Sequence, residues 1–100
     1  MKNNFEKRGD HYAIFANRDG LQMEILVDET DFKMIASRPG AWRIYKHGDM
    51  FYARIWIRGV KWTSVFLHRI LLNVPADMQI DHINRNGLDN QRKNLLINAS

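Results

Sequence analysis

The residues best suited to chemistry lie near the end of the sequence, in the stretch Asp81-His82-Ile83-Asn84-Arg85-Asn86-Gly87-Leu88-Asp89-Asn90-Gln91-Arg92-Lys93-Asn94-Leu95. An imidazole titrates near pH ~6.5 and can exchange protons under physiological conditions, and a carboxylate oxygen suits hard cations. An isolated Asp-His pair is usually no more than a polar spot on a surface. Here it follows a short apolar approach, Met78 and Ile80, and precedes a loop containing Gly87, Asp89 and Asn90. The apolar pair Leu95 and Leu96 then re-enters the core. The pattern predicts strand, polar loop, strand, with Asp81 and His82 at the edge of the first strand. Asn84, Asn86, Asn90, Asn94 and Asn98 point to a tight loop held by side-chain-to-backbone hydrogen bonds rather than to a helix.

The elements that must position this loop are mostly strands. Period-2 hydrophobicity predicts strands at His11 to Ala16 and Leu21 to Val27, turning at Gly20. Asp28-Glu29-Thr30-Asp31 offers side-chain oxygens to cap a helical turn or two at Phe32 to Ile35, closed by Pro39-Gly40. Trp42 to Lys46 begins another strand. In Phe51 to Arg58, the clearest strand, Phe51, Ala53, Ile55 and Ile57 share one face, while Tyr52, Arg54, Trp56 and Arg58 share the other. Gly59 turns the chain and Lys61 to Phe66 returns. The second face alternates rings with guanidinium groups. That suits a phosphate backbone, with Arg54, Arg58 and Lys61 neutralising charge; the alternative is that the rings pack under another element and the cations are simply solvated. Leu67, Ile70, Leu71 and Val74 fit one face of a short helix stopped by Pro75.

The chain has 100 residues and 11.8 kDa, with 45% hydrophobic residues, 26% charged and no cysteine. Those values fit one soluble domain and exclude disulfides, thiolate zinc sites and a cysteine nucleophile. Neither a signal-type apolar region nor a stretch of the ~18 to 20 apolar residues of a membrane span is present, so a cytoplasmic location and no membrane partner are expected. The net charge of +4 belongs wholly to residues 51–100, and no acidic residue lies between Met50 and Ala76. An uncompensated basic stretch attracts polyanions.

The tail resembles the HNH endonucleases of the phage-borne and homing type, which have a ββα-metal fold. The resemblance rests on Leu67-His68-Arg69, Asp81-His82-Ile83-Asn84, Leu88-Asp89-Asn90 and Asn94-Leu95, in that order, and covers roughly a third of the chain. It implies an α+β protein, with a strand-rich, DNA-contacting region over residues 1–66 and an HNH module over 67–100. It implies a metal-dependent endonuclease that hydrolyses and nicks double-stranded DNA. His82 would be the general base toward water. Asp81 would be a ligand of a single Mg²⁺ or Mn²⁺, and Asn94 would tie the loop and help orient the histidine. Asn90 and His68 would support the site, and Arg69, Arg85 and Arg92 would contact DNA. Adjacent strand residues point to opposite sides, so a local bend must bring Asp81 and His82 to one phosphate.

The sequence departs from this family at its end. The second metal ligand belongs on a final helix, and counting on from Asn94 to that position passes Ser100, which itself looks like the N-cap of such a helix. The chain as given is expected to supply both strands of the module without that helix, as a fragment or as a remnant that lost catalysis. Without it, the edge at Leu95 and Leu96 would stay uncovered and open to self-association. Gln91 stands where many relatives have Arg. Two other classes stay open: a DNA-binding module without catalysis, and a protein-interaction domain.

Overall fold

The period-2 pattern of the first two-thirds of the chain folds into antiparallel sheet. The computed structural model describes residues 1–99, so Ser100, expected to cap a further helix, lies outside the described residues. Strands β1 (Phe5–Arg8), β2 (His11–Arg18) and β3 (Leu21–Asp28) form a meander followed by helix α1 (Glu29–Ala36). Strands β4 (Arg43–His47), β5 (Met50–Arg58) and β6 (Trp62–Phe66) make a second, three-stranded sheet leading into the short helix α2 (Leu67–Leu71). The tail supplies β7 (Met78–His82), β8 (Asp89–Asn90), a 3₁₀ turn at Arg92–Asn94, and β9 (Leu95–Ala99). The α+β class is therefore as expected. No helix among the described residues is long and apolar enough to cross a membrane.

One core spans the motif boundary between residues 66 and 67. Ile14, Ile25, Val27, Ile35, Trp42, Ala53 and Ile55 pack with Leu67, Leu71 and Leu88 from the tail. Burying each large apolar side chain contributes about 1.5–3 kcal/mol. Strand β8 adds to the first sheet parallel to β3, through Leu26↔Asp89 and Val27↔Asn90, so the Asn-rich loop is anchored at both ends.

Three local expectations are corrected. Asp28 stands at the N-cap of α1 in extended conformation, but its side chain makes no cap hydrogen bond; Oδ2 instead accepts from the Arg92 backbone N–H at 3.1 Å. Helix α2 ends at Leu71, short of Val74, because Leu72 is already extended (φ −107°, ψ 93°). Of the apolar pair after the loop, Leu95 packs on the core while Leu96 is 53% exposed and neighbouring Ile97 45% exposed. The uncovered edge is thus Leu96 and Ile97.

Candidate functional site

Strands β7 and β9 pair in the register Asp81↔Leu96 and His82↔Leu95, with the polar loop between them. As expected, that loop is held by its own asparagines. Asn94 accepts the Asn84 N–H on Oδ1 (2.9 Å) and donates through Nδ2 to Asn84 Oδ1 (2.8 Å) and to the Asp89 carbonyl (2.9 Å). Its carbonyl also accepts the Ile83 N–H at 2.9 Å. Asn84 Nδ2 reaches Asp89 Oδ2 (2.9 Å), and Asp89 Oδ1 accepts from the Gln91 side chain (2.9 Å). Buried polar groups satisfied in this way fix a loop in one geometry.

That frame sets the histidine. His82 is buried, and Nε2 lies 2.9 Å from Oδ1 of Asn90, itself 0% exposed. An amide oxygen only accepts, so with Oδ1 turned to the ring Nε2 is the donor of this bond; Nδ2 of Asn90 is buried without a partner. The His68 ring meets His82 edge-on, with centroids 5.1 Å apart at 86°, and stacks on Phe66 at 5.3 Å. Burial, then the neighbouring His82 and Arg69, lowers the His68 pKa to about 4. Tyr52 flanks both imidazoles, at 5.9 Å from His68 and 5.8 Å from His82.

Tyr52 belongs to the site because of Gly87. A Cβ on Gly87 would fall 2.1 Å from the Phe51 carbonyl oxygen and 2.8 Å from Tyr52 Cδ1. The loop thus lies directly on β5, which only a residue without a side chain allows. Gly87 in a polar loop was the one signal for this contact, and it reads equally well as a turn residue.

Asp81 and His82 point differently, yet both line one groove of about 550 Å³, together with Tyr52, Arg85 and Leu96. Asp81 is exposed, and its Oδ2 accepts from Asn98 Nδ2 at 3.1 Å. Arg85 is exposed with φ 63°, a left-handed conformation that costs a side-chain-bearing residue roughly 1–2 kcal/mol; its N–H donates to the His82 carbonyl at 3.0 Å. A second cavity of about 390 Å³, lined by Tyr45, His47, Phe66 and His68, shares Tyr52 with the first.

Two of the cations expected on DNA also hold the fold. Arg92 forms a bidentate pair with Asp31, which is 6% exposed, through Nε (2.9 Å) and an NH₂ nitrogen (3.0 Å). Arg69 donates to the carbonyls of Pro75 and Met78, closing the link from α2 to β7. Arg54 and Arg58 stay on the sheet, and Lys61 lies in the turn between β5 and β6. Arg54 lies 4.1 Å over Tyr45 and 5.3 Å from Trp56, and Arg58 lies 6.0 Å over Trp62.

The outer rings divide. Tyr52 packs under the loop, whereas Trp56 is 43% and Trp62 60% exposed. The register adds a residue that alternation along β5 alone misses: Arg43 lies directly across from Arg54. Like charges facing each other destabilise a sheet unless an anion offsets them. Among the described residues, no carboxylate forms an ion pair with Arg43, Arg54 or Arg58.

Compared with models of known protein families, with curated proteins and with solved structures, the chain finds no match.

Proposed function

We propose that this protein is a metal-dependent DNA endonuclease of the HNH type, with His82 as the base that takes a proton from the attacking water. The observation carrying this reading is the fixed imidazole. Nε2 is bound to a fully buried Asn90, and the ring borders a groove that also holds Asp81 and the exposed guanidinium of Arg85. Nδ1 accepts the water proton as oxygen bonds to phosphorus and the P–O3′ bond breaks. His68 stays neutral at physiological pH, so a proton arriving on His82 meets no neighbouring imidazolium. Arg85 is placed to offset phosphate charge. Asn94 acts by clamping the loop rather than by touching His82.

An exposed carboxylate at the groove fits a divalent cation. Asp81 would hold Mg²⁺ or Mn²⁺, which binds through one or two carboxylates with waters and substrate phosphates completing its shell. When bound, the ion would offset charge developing on the phosphate and on the leaving oxygen. The cations of β5 and the hairpin that follows it, Arg54, Arg58 and Lys61, together with Arg43, are the duplex-holding face.

The test is conversion of supercoiled plasmid to open circles in Mg²⁺ or Mn²⁺. His82→Ala, with folding checked by circular dichroism, is expected to lose at least about 100-fold in rate. Undiminished nicking by that variant would remove His82 from the chemistry. A binding module without catalysis is the second reading, favoured by a groove with one carboxylate: among the described residues, no three His, Cys, Asp or Glu side chains converge on a common point. Its mark is salt-sensitive duplex binding that chelators leave unchanged, with no cleavage.

A further inference from the structure

At the far end of β5 lies a third groove, distinct from the two that share Tyr52. Strand β4 pairs with β5 only up to Arg43↔Arg54, so beyond Arg54 one edge of β5 has no strand beside it. A groove of about 500 Å³ runs along this edge. It is lined by Trp56, Arg58 and Trp62 on the sheet side and by Lys2, Arg38 and Gly40 across from them. No lining residue is acidic. Arg38 is partly buried and forms no ion pair among the described residues.

The two indoles share one face of the sheet. Trp62 pairs with Arg58 and Trp56 with Ser64, which makes the rings diagonal neighbours across the β5–β6 hairpin. Each has a guanidinium within cation–π range, Arg54 for Trp56 and Arg58 for Trp62. Both stay substantially open to solvent, at 43% and 60%. Large exposed rings that no other element covers are costly to present to water, and they are suited to stacking on planar partners.

We propose that this groove binds an unpaired DNA strand, with bases stacking on Trp56 and Trp62 and phosphates meeting Lys2 and Arg38, the cations across from the sheet. A polyanion with exposed aromatic faces matches both the charge and the rings. A duplex does not, because its base faces are covered by stacking and its grooves present only base edges. A cleft of this volume takes one or two bases and not the width of a duplex. The inference deepens the nuclease reading, by assigning a site for a strand displaced or frayed next to the cut, and its test stands apart from cleavage.

Binding of a short oligo(dT) to the full chain, followed by quenching of tryptophan fluorescence, reads the contact directly; Trp42 is buried and supplies a constant background. Loss of one stacked base weakens binding by about tenfold or more, so Trp62→Ala is expected to lower oligo(dT) affinity by that factor. Trp62→Phe should retain most of it, and affinity for a blunt duplex should stay within about twofold. Both variants change an exposed ring, and circular dichroism confirms that they fold. Three results would overturn the proposal: no quenching by oligo(dT), a parallel loss of duplex and single-strand affinity in Trp62→Ala, or tighter binding of oligo(U) than of oligo(dT). His82→Ala should bind oligo(dT) like the parent protein. Failure of the parent protein to cleave plasmid, with this binding intact, would sink the nuclease reading and leave the single-strand site standing.

Discussion

The loop between β7 and β9 and the outer face of the β4–β5–β6 sheet are both polar, but they use their polar groups in opposite ways. In the loop, Asn84, Asp89, Asn90 and Asn94 hydrogen-bond to one another, to the backbone or to His82. On the sheet, Arg54 and Arg58 lie over aromatic rings, Arg43 faces Arg54, and among the described residues none of the three forms an ion pair. A group that transfers a proton needs its geometry set before substrate arrives, because reaction rates fall steeply with small displacements. A surface that holds a phosphate backbone gains from cations that stay free to exchange counterions for phosphates. Dense internal hydrogen bonding, with only His68 Nδ1 and Asn90 Nδ2 buried without a partner among the described atoms of the site, marks the part that would do chemistry, and unpaired cations mark the part that would hold substrate.

Gly87 joins the two regions, so it offers the strongest way to break the comparison. Its Cα lies against the Phe51 carbonyl and the Tyr52 ring, neither of which is the far end of a flexible chain. Gly87→Ala is expected to destabilise the fold by at least about 3 kcal/mol, the upper range for overpacking. Thermal melting should show a fall in Tm of more than roughly 10 °C. An unchanged melting curve would mean that the loop does not rest on β5, and Tyr52 would then leave the candidate site.

The next effect belongs to the buried imidazoles and appears as a dependence on pH. His68 has a pKa of about 4 in the fold, with burial as the largest cause, against an ordinary value near 6.5. Above pH 6.5 the group is neutral in both folded and unfolded chains and does not make stability vary. Between about 6.5 and 4 the unfolded chain takes up a proton that the folded chain refuses, so stability falls as pH falls. By pH 5 the loss is about 2 kcal/mol. Urea unfolding at pH 7 and pH 5 measures it, and His68→Phe, which keeps a ring against Phe66, should remove that part of the difference. An identical difference in the variant would assign the pH dependence to other groups.

How far these two regions could be read from the chain follows from what each depends on. Strand β5 was legible because one face is buried, and burial imposes strict alternation on Phe51 to Arg58. The loop was legible in kind because asparagine at this density favours local side-chain hydrogen bonds. Long-range pairings were not. Asp31 and Arg92 meet from distant parts of the chain, and once Asp28 accepts the Arg92 N–H its carboxylate no longer caps α1. Strand β1 was missed because Phe5-Glu6-Lys7-Arg8 shows no apolar face; pairing with β2 and the Arg8–Glu24 contact hold it. Leu-His-Arg and Asp-His were each visible, but nothing in their spacing shows that the two imidazoles touch.

The smallest effect on stability tests the other side of the comparison. Arg54 stacks at 4.1 Å on Tyr45, an exposed-type cation–π contact worth about 0.5–1 kcal/mol. It also faces Arg43 across the sheet, and removing it relieves that repulsion, so Arg54→Ala should change stability by less than about 1 kcal/mol. Its effect on DNA should be larger. If the sheet holds phosphates, losing one such contact lowers the slope of log affinity against log salt by about 1, with duplex binding weakened uniformly across sequences. Fluorescence anisotropy over a salt series reads the slope. If Arg54→Ala left the slope intact, the open cations of the sheet would be solvated side chains, and free guanidinium groups would no longer mark where this molecule meets DNA.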